Sequence, residues 1–179
     1  MNKTLNIRNI GIVAITSLFM AMAISSTEDT SKPSSTSPTN KTALGASLQI
    51  GGIEASILNV QVSQGFKGVL DDVKAPSQGG IFVVVNWKYK NVSKEPLGMF
   101  DRPSINLISH DGVEYSADID ASSDYASQAG DDEKAVSDLN PGLVSNVYEV
   151  FEVSKDLFDS GTWSLRISHD GSTEWFSMK

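Results

Sequence analysis

The sequence predicts an all-β protein, a sandwich of two antiparallel sheets built from seven or eight short strands. Short runs rich in β-branched and aromatic residues alternate with polar residues and end at Gly, Pro, Asp or Ser. No segment longer than two turns has the spacing of an amphipathic helix. A chain of 179 residues with 40% hydrophobic content is enough for one core. One domain of two packed sheets follows from these observations.

The two longest runs define the expected core. Residues 54–63 place Leu58, Val60 and Val62 on one face of a strand, because alternate side chains of a strand point to the same side. In residues 81–91 the corresponding face carries Val83, Val85, Trp87 and Tyr89.

Two tryptophans, Trp87 and Trp163, are predicted as core aromatics. A ligand groove is the alternative for such a pair of aromatic residues. The remaining strands are predicted at residues 104–109, 113–119, 144–153, 162–168 and 173–178.

Residues 1–23 are predicted to be a signal peptide. Lys3 and Arg8 supply a positive n-region, and the apolar run at 10–24 is shorter than the roughly 20 residues that span a bilayer. An A-x-A motif ending at Ala23 is a plausible cleavage site, and an uncleaved anchor is the alternative. The chain is therefore expected to be exported, to a periplasmic or extracellular location.

Residues 24–44 are predicted to be a disordered spacer, followed by the sandwich domain at 45–179. The spacer is rich in Ser, Thr and Pro and has almost no large apolar residue, so it cannot bury enough surface to offset its ordering entropy.

Composition excludes several classes of function. The formal net charge of −8 argues against nucleic acid and against anionic membrane surfaces, since both are bound by basic patches. The chain has no cysteine, which excludes disulfides, thiolate nucleophiles and cysteine-containing zinc sites.

The pentapeptide ISHDG occurs twice, at residues 108–112 and 167–171, and contains both histidines. Asp-Gly between two strand patterns predicts a two-residue type I′ hairpin turn. The number of strands between the two copies places the turns at opposite ends of the sandwich. Two hairpin turns are therefore predicted, and a functional pair of His110 and His169 is the alternative.

The segment 118–138 is strongly acidic and is predicted to be a loop. Asp118, Asp120 and Asp124 are candidate calcium ligands, because a hard divalent cation relieves the repulsion between crowded carboxylates. The spacing does not match an EF-hand loop. A solvated acidic loop that keeps the protein soluble is the alternative.

No enzyme is predicted. The sequence lacks the G-x-S-x-G, H-E-x-x-H, P-loop and G-x-G-x-x-G patterns. Paired carboxylates could serve a glycosidase, but that chemistry needs two carboxyl groups held at a set distance in a cleft.

Five motifs in order resemble the domain-of-unknown-function family 4352. They are GGIFVVVNWKYKNVSKEPL, a hairpin with HDGVEY, then LNPG, VFEVSKDL and a closing strand WSLRIS. The resemblance runs from about residue 48 to 168. It implies an exported immunoglobulin-like β-sandwich, related in fold to a secreted mycobacterial immunogenic protein, and it implies no reaction. Many members look like lipoproteins; the cysteine that would carry the lipid is absent here, so no lipid anchor is expected.

The function predicted from the sequence is a non-enzymatic binding or accessory module of the bacterial cell envelope. Its partner is an unidentified protein or envelope component, with no cofactor and no membrane insertion unless the signal is retained. An exposed aromatic patch near Phe66, Phe100 or Tyr125 would support partner binding. A calcium-binding domain is the alternative.

Overall fold

The computed structural model describes residues 41–130 and 137–178, which contain ten strands. In chain order these are β1 (Ser47–Ile50), β2 (Ile53–Ser63), β3 (Gly65–Lys67), β4 (Asp72–Lys74), β5 (Gly80–Asn91), β6 (Ser104–Ile108), β7 (Glu114–Tyr115), β8 (Val144–Ser154), β9 (Ser164–His169) and β10 (Ser172–Ser177). The helices are a 3-10 helix at Met99–Asp101, α1 (Ile119–Ala129) and α2 (Lys155–Ser160).

Two four-stranded antiparallel sheets form the body of the domain. The first has the order β1-β2-β5-β8 and the second the order β10-β9-β6-β7, while β3 and β4 form a separate hairpin. The predicted antiparallel sandwich is confirmed, and each of the seven predicted runs coincides with a strand. The prediction missed β1, β3 and β4, which have three or four residues each.

The core lies between the two sheets. Strand β5 contributes Val83, Val85, Trp87 and Tyr89, the face that the sequence predicted, and all four are at most 2% exposed. Trp163 is also buried in the same cluster, which confirms both tryptophans as core residues.

Strand β2 changes the parity of its inward residues at a β-bulge. Ile57 pairs with Trp87, but Asn59 pairs with Asn86, so Leu58 is an extra residue between them. Leu58 is 44% exposed, and its predicted place in the core is wrong because the bulge was not anticipated.

The first half of β5 is buried on its outer face as well. Phe82 and Val84 are covered there by a second apolar cluster, to which Phe66 of the β3–β4 hairpin and Tyr125 of α1 contribute. The sandwich therefore carries a partial third layer on one face.

Helix α1 corrects the prediction that the acidic segment is a loop. The carboxylate of Asp118 accepts a hydrogen bond from the Ala121 amide at 3.0 Å and caps the helix. Gly130 ends the helix in the left-handed conformation with φ of 75°. The segment was not predicted as a helix because its Ser and Asp residues have low helix propensity, although both cap residues are present in the sequence.

The structure covers the predicted domain boundaries only in part. The signal peptide at 1–23 lies outside the described residues, as does most of the spacer at 24–44. Within residues 41–44, Thr42 bridges Phe176, so pairing starts before the predicted boundary at 45. No helix in the described part of the chain is long and apolar enough to cross a membrane.

Candidate functional site

An open cleft of about 750 Å³ lies at one end of the sandwich. Three segments form it: the β1–β2 turn, the chain from Ser93 to Arg102 that follows β5, and the β9–β10 turn. Loops at the end of a β-sandwich are a common place for recognition, because a rigid scaffold positions them. This cleft is therefore the candidate binding site.

The wall that follows β5 is fixed by one buried amide. The Asn91 side chain donates hydrogen bonds of 2.8 Å to the carbonyl oxygens of Glu95 and Leu139. Its Oδ1 atom accepts from the amide and the hydroxyl of Ser93, at 2.9 and 2.7 Å. A backbone bridge between Leu97 and Leu139 holds the end of the loop. Asn91 was not identified from the sequence, although an Asn that ends an apolar strand and precedes a loop often organises a turn.

Phe100 stands on the rim of this cleft and is 93% exposed. It belongs to the 3-10 helix, where Met99 is also half-exposed. Of the three positions at which the sequence suggested an exposed aromatic patch, Phe100 alone is largely exposed. Phe66 and Tyr125 pack against each other with ring centroids 5.0 Å apart.

His169 forms part of the cleft wall and is 9% exposed. Its imidazole lies against Gly51, where a Cβ atom would come within 3.3 Å of the ring. The carboxylates that share the cleft with His169, those of Glu95, Asp101 and Asp170, are all exposed. The arrangement therefore resembles a recognition surface more than a buried acid–base pair.

His110 lies at the other end of the sandwich. Ile108, which precedes the first ISHDG turn, pairs with Ser164, whereas Ser168, which precedes the second, pairs with Ser104. The prediction that the turns occupy opposite ends is confirmed. They are separated by the five-residue strand β6, about 17 Å long.

The two ISHDG copies form different turns. In the second copy Asp170 and Gly171 have φ of 47° and 70°, and His169 pairs with Ser172, which confirms the predicted type I′ turn. In the first copy Gly112 has a positive φ and Asp111 does not.

The first turn is held by Ser109. Its amide donates to the carbonyl oxygen of Val113 at 3.0 Å, which leaves a three-residue loop at 110–112. The prediction of a type I′ turn is wrong here, because a three-residue loop needs a left-handed residue only at its last position. The Ser109 hydroxyl also donates to Asp111, and this hydrogen bond lowers the pKa of the Asp111 carboxyl.

The candidate calcium ligands lie at the cap, in the first turn and in the middle of α1. Asp118 is engaged as the helix cap, while Asp120 and Asp124 are exposed and one turn apart. Within residues 41–130 and 137–178, no group of three His, Cys, Asp or Glu side chains is placed to hold a metal ion. Calcium binding stays an untested prediction.

Glu149 is an ionisable residue that the sequence analysis did not identify. It pairs with Val85 on the inner face of β8 and alternates there with Val147 and Phe151. Burial raises the pKa of Glu149 to about 7, and a hydrogen bond from the Ser122 hydroxyl at 3.4 Å opposes that rise. The run VYEVFEV contains the signal, since it places this carboxylate at an inward position.

The comparisons with known proteins agree with this architecture. The chain is 43% identical over 98 residues to the uncharacterized protein YxkC of Bacillus subtilis (strain 168). That match covers 54% of each protein, so the chain spans about half the length of this relative.

Two solved structures share the fold. A conserved hypothetical protein from Bacillus anthracis superposes with a TM-score of 0.66 at 23% identity, over 77% of this chain and 96% of that one. An uncharacterized β-sandwich protein from Clostridium difficile 630 superposes with a TM-score of 0.53 at 17% identity, over 80% and 98%. The family model for the Domain of unknown function (DUF4352) matches residues 42–170, which is most of the chain, and the protein therefore belongs to the DUF4352 family.

Proposed function

We propose that this protein is an exported, non-enzymatic binding module of the bacterial cell envelope, and that its cleft holds a segment of a partner protein. One observation carries the proposal: Phe100 projects almost fully into solvent at the rim of a cleft with a fixed wall. Burying a phenylalanine side chain stabilises by about 1.5–3 kcal/mol. A partner that covers Phe100 would gain this free energy on binding, because the domain itself does not bury the ring.

The fixed wall favours binding by lowering its entropic cost. Asn91 has four hydrogen bonds and is fully buried, so the loop before the 3-10 helix is already ordered. A preformed loop loses little conformational entropy when a partner arrives. Aromatic residues, Phe among them, are enriched in the buried centres of protein interfaces.

The chemistry around Phe100 suits a peptide segment. Lys94 and Arg102 line the cleft together with the acidic residues Glu95, Asp101 and Asp170. An apolar anchor within a polar rim of both signs is the usual anatomy of a protein interface. A polyanion would require a surface of predominantly positive charge.

The test is a selection of binding peptides with a matched control. Peptides selected from a random phage-displayed library against the protein are expected to bind Phe100→Ala at least tenfold more weakly. Leu70→Ala is the control, because Leu70 is also 93% exposed but lies on the β3–β4 turn. Both variants should unfold at the wild-type temperature, since neither side chain is packed. Peptides that ignore Phe100→Ala, or that depend equally on Leu70, contradict the proposal.

Export is tested separately. Residues 1–44 fused to alkaline phosphatase, which is active only after export, should give activity that is lost when Lys3 and Arg8 become Glu. The prediction of a positive n-region and an apolar h-region supports this expectation. Phosphatase activity that stays absent in the wild-type fusion contradicts export.

The calcium alternative needs its own measurement. Thermal unfolding in EDTA, calcium and magnesium would reveal a site, because a ligand at a hundred times its dissociation constant stabilises by about 2.7 kcal/mol. That corresponds to a midpoint roughly 8 °C higher for a domain of this size. The rise should be specific to calcium and lost in Asp120→Asn; an unchanged midpoint contradicts the alternative.

A further inference from the structure

A second, smaller cavity of about 150 Å³ lies between α1 and the outer face of the first sheet. It is far from the cleft, since Asn86 in its lining is five residues along β5 from Asn91, about 17 Å. Its polar and aromatic lining consists of four amides and two tyrosines: Asn59, Gln61, Asn86, Gln128, Tyr125 and Tyr148.

The β-bulge in β2 brings these amides together. Because Leu58 is an extra residue, Asn59 faces outward and pairs with Asn86, and Asn86 pairs with Tyr148 on the other side. The three side chains therefore form one row across three strands. Bulges often reorient a side chain in this way next to functional sites.

The side-chain oxygen of Asn86 is the atom of this cavity that points most directly to a ligand. Its Oδ1 is buried and has no hydrogen-bond partner among the residues that the structure describes. Leaving a buried acceptor unsatisfied costs about 1–3 kcal/mol. An apolar residue of similar shape at this position would avoid that cost, so the amide is better explained by a ligand than by the fold.

Two tyrosine rings in contact with each other form the aromatic side of the cavity. Tyr125 and Tyr148 lie with their ring centroids 5.3 Å apart, and the Tyr125 hydroxyl donates to Gln61 at 3.4 Å. Both tyrosines are partly exposed, so they offer ring surface and a hydroxyl to a small molecule.

The charge of the lining side chains indicates which class of ligand fits the cavity. None of the described side chains that line the cavity is charged, so an anion or a cation would find no counter-charge. An amide side chain both donates and accepts hydrogen bonds, and a sugar hydroxyl does the same. A ligand rich in hydroxyls and with one apolar face matches amides beside aromatic rings.

We propose that this cavity binds one neutral pyranose unit of a glycan. Its volume is well below the roughly 300–1,000 Å³ of sites for drug-sized ligands, which suits a single ring. The sugar hydroxyls bond to the amides of Asn59, Asn86 and Gln128, and the apolar face of the ring packs on Tyr148. This site is separate from the protein-binding cleft and does not depend on it.

The experiment is saturation-transfer NMR with the neutral trisaccharides triacetylchitotriose, cellotriose and maltotriose. At least one is expected to receive saturation from the protein. Asn86→Leu should weaken its binding at least tenfold and leave the unfolding temperature unchanged or higher, because it removes an unsatisfied acceptor. A residue with a purely structural role would show the opposite change in stability.

Two further variants keep the test decisive. Gln128→Ala, on the exposed last turn of α1, should also weaken binding and carries little risk to folding. Asn146→Ala is the matched control, since it is an exposed amide two residues from Tyr148 on the same face but outside the cavity. Phe100→Ala should likewise leave sugar binding unchanged, which separates this proposal from that of the cleft.

Four results overturn the proposal. No trisaccharide receives saturation, or the signal persists in both Asn86→Leu and Gln128→Ala, or a crystal structure with the sugar shows only water in the cavity. Binding of a sulfated polysaccharide without any neutral sugar would also overturn it, because basic residues outside the cavity would then be responsible.

Discussion

The two ISHDG segments have the same five residues and different structures. In the second, strands β9 and β10 pair up to His169 and Ser172, so two residues make the turn. In the first, pairing stops earlier, because β7 has only two residues and the Ser109 hydroxyl bonds with the chain around Asp111 and Val113. The register of the flanking strands, rather than the pentapeptide, decides the type of turn.

The histidines differ in the same way. His169 is buried beside Gly51, which lies in the turn between β1 and β2 of the other sheet, and lines the cleft. His110 is exposed and lies over Gly161, after α2. Identical residues therefore acquire different surroundings, and this comparison can be tested by substitution.

The largest expected change in stability concerns two glutamates of strand β8, to which the comparison can be extended. Glu149 faces the core and Glu152 faces outward on β8, where its carboxylate accepts from the Ser77 amide at 2.8 Å. Because the folded-state pKa of Glu149 is about 7 against an ordinary 4.5, its contribution to stability is full below pH 4.5 and is lost as the pH rises through 7. The loss amounts to about 3 kcal/mol above pH 8.

Urea unfolding at pH 5 and pH 8 measures this difference. Glu149→Gln should be more stable than the wild type at pH 8 and should lose most of the pH dependence. Glu152→Gln should retain the pH dependence of the wild type. Equal pH dependence in the wild type and Glu149→Gln would show that this carboxyl group is not buried as described.

The next effect concerns the glycine beside each histidine. Gly51 has φ of 55°, and a Cβ there would lie 3.2 Å from the backbone oxygen of His169, so Gly51→Ala should cost about 1–3 kcal/mol. Gly161 has an ordinary extended backbone, and the three atoms nearest to its Cβ would all belong to the ring of His110, the closest at 2.5 Å. His110 is an exposed side chain, so a change of its rotamer relieves this contact. Gly161→Ala should change stability by less than about 0.5 kcal/mol. Chemical denaturation of the two variants decides it, and equal losses would contradict the comparison.

The smallest expected change in stability comes from replacing the aspartate of each turn with glycine. Its sign should differ between the two turns. Asp170 has a left-handed backbone, so Asp170→Gly should leave the domain as stable as the wild type or slightly more stable. Asp111 lacks a positive φ and accepts a hydrogen bond from Ser109, so Asp111→Gly should cost about 0.5–1 kcal/mol. Thermal unfolding of both variants is sufficient, and a shift of the same sign in both would refute the assignment of two turn types.

The strands could be predicted because their pattern is local. Alternation in β5 and β8 reports which face is buried, and Asp-Gly marks a turn. Helix α1 was not predicted, since its three Ser and two Asp lower the helix propensity of the segment and its first turn is held by tertiary contacts. The Asp118 amide donates to the carbonyl oxygen of Val150 at 2.7 Å, and the Val150 amide donates to the Ser122 hydroxyl at 2.9 Å.

The candidate site could be predicted only in part. Phe100 was named from the sequence together with Phe66 and Tyr125 as a place for an exposed aromatic patch, and of these three Phe100 is the one that is largely exposed. The cleft itself depends on segments distant in sequence, and nothing local indicates that Gly51 and His169 meet. The amide cavity depends on the bulge at Leu58, because in a regular strand that kept Leu58 in the ladder Asn59 would face the core.

The bulge also bears on how the family can vary in length. Loss of Leu58 would leave a regular strand in which Ile57 still faces inward, Asn59 outward and Val60 inward. A one-residue deletion at this position would therefore preserve both faces of β2, whereas a deletion near Ala55 would reverse every side chain up to the bulge. The middle of this strand is thus a point where an evolving lineage can gain or lose a codon without rebuilding the core.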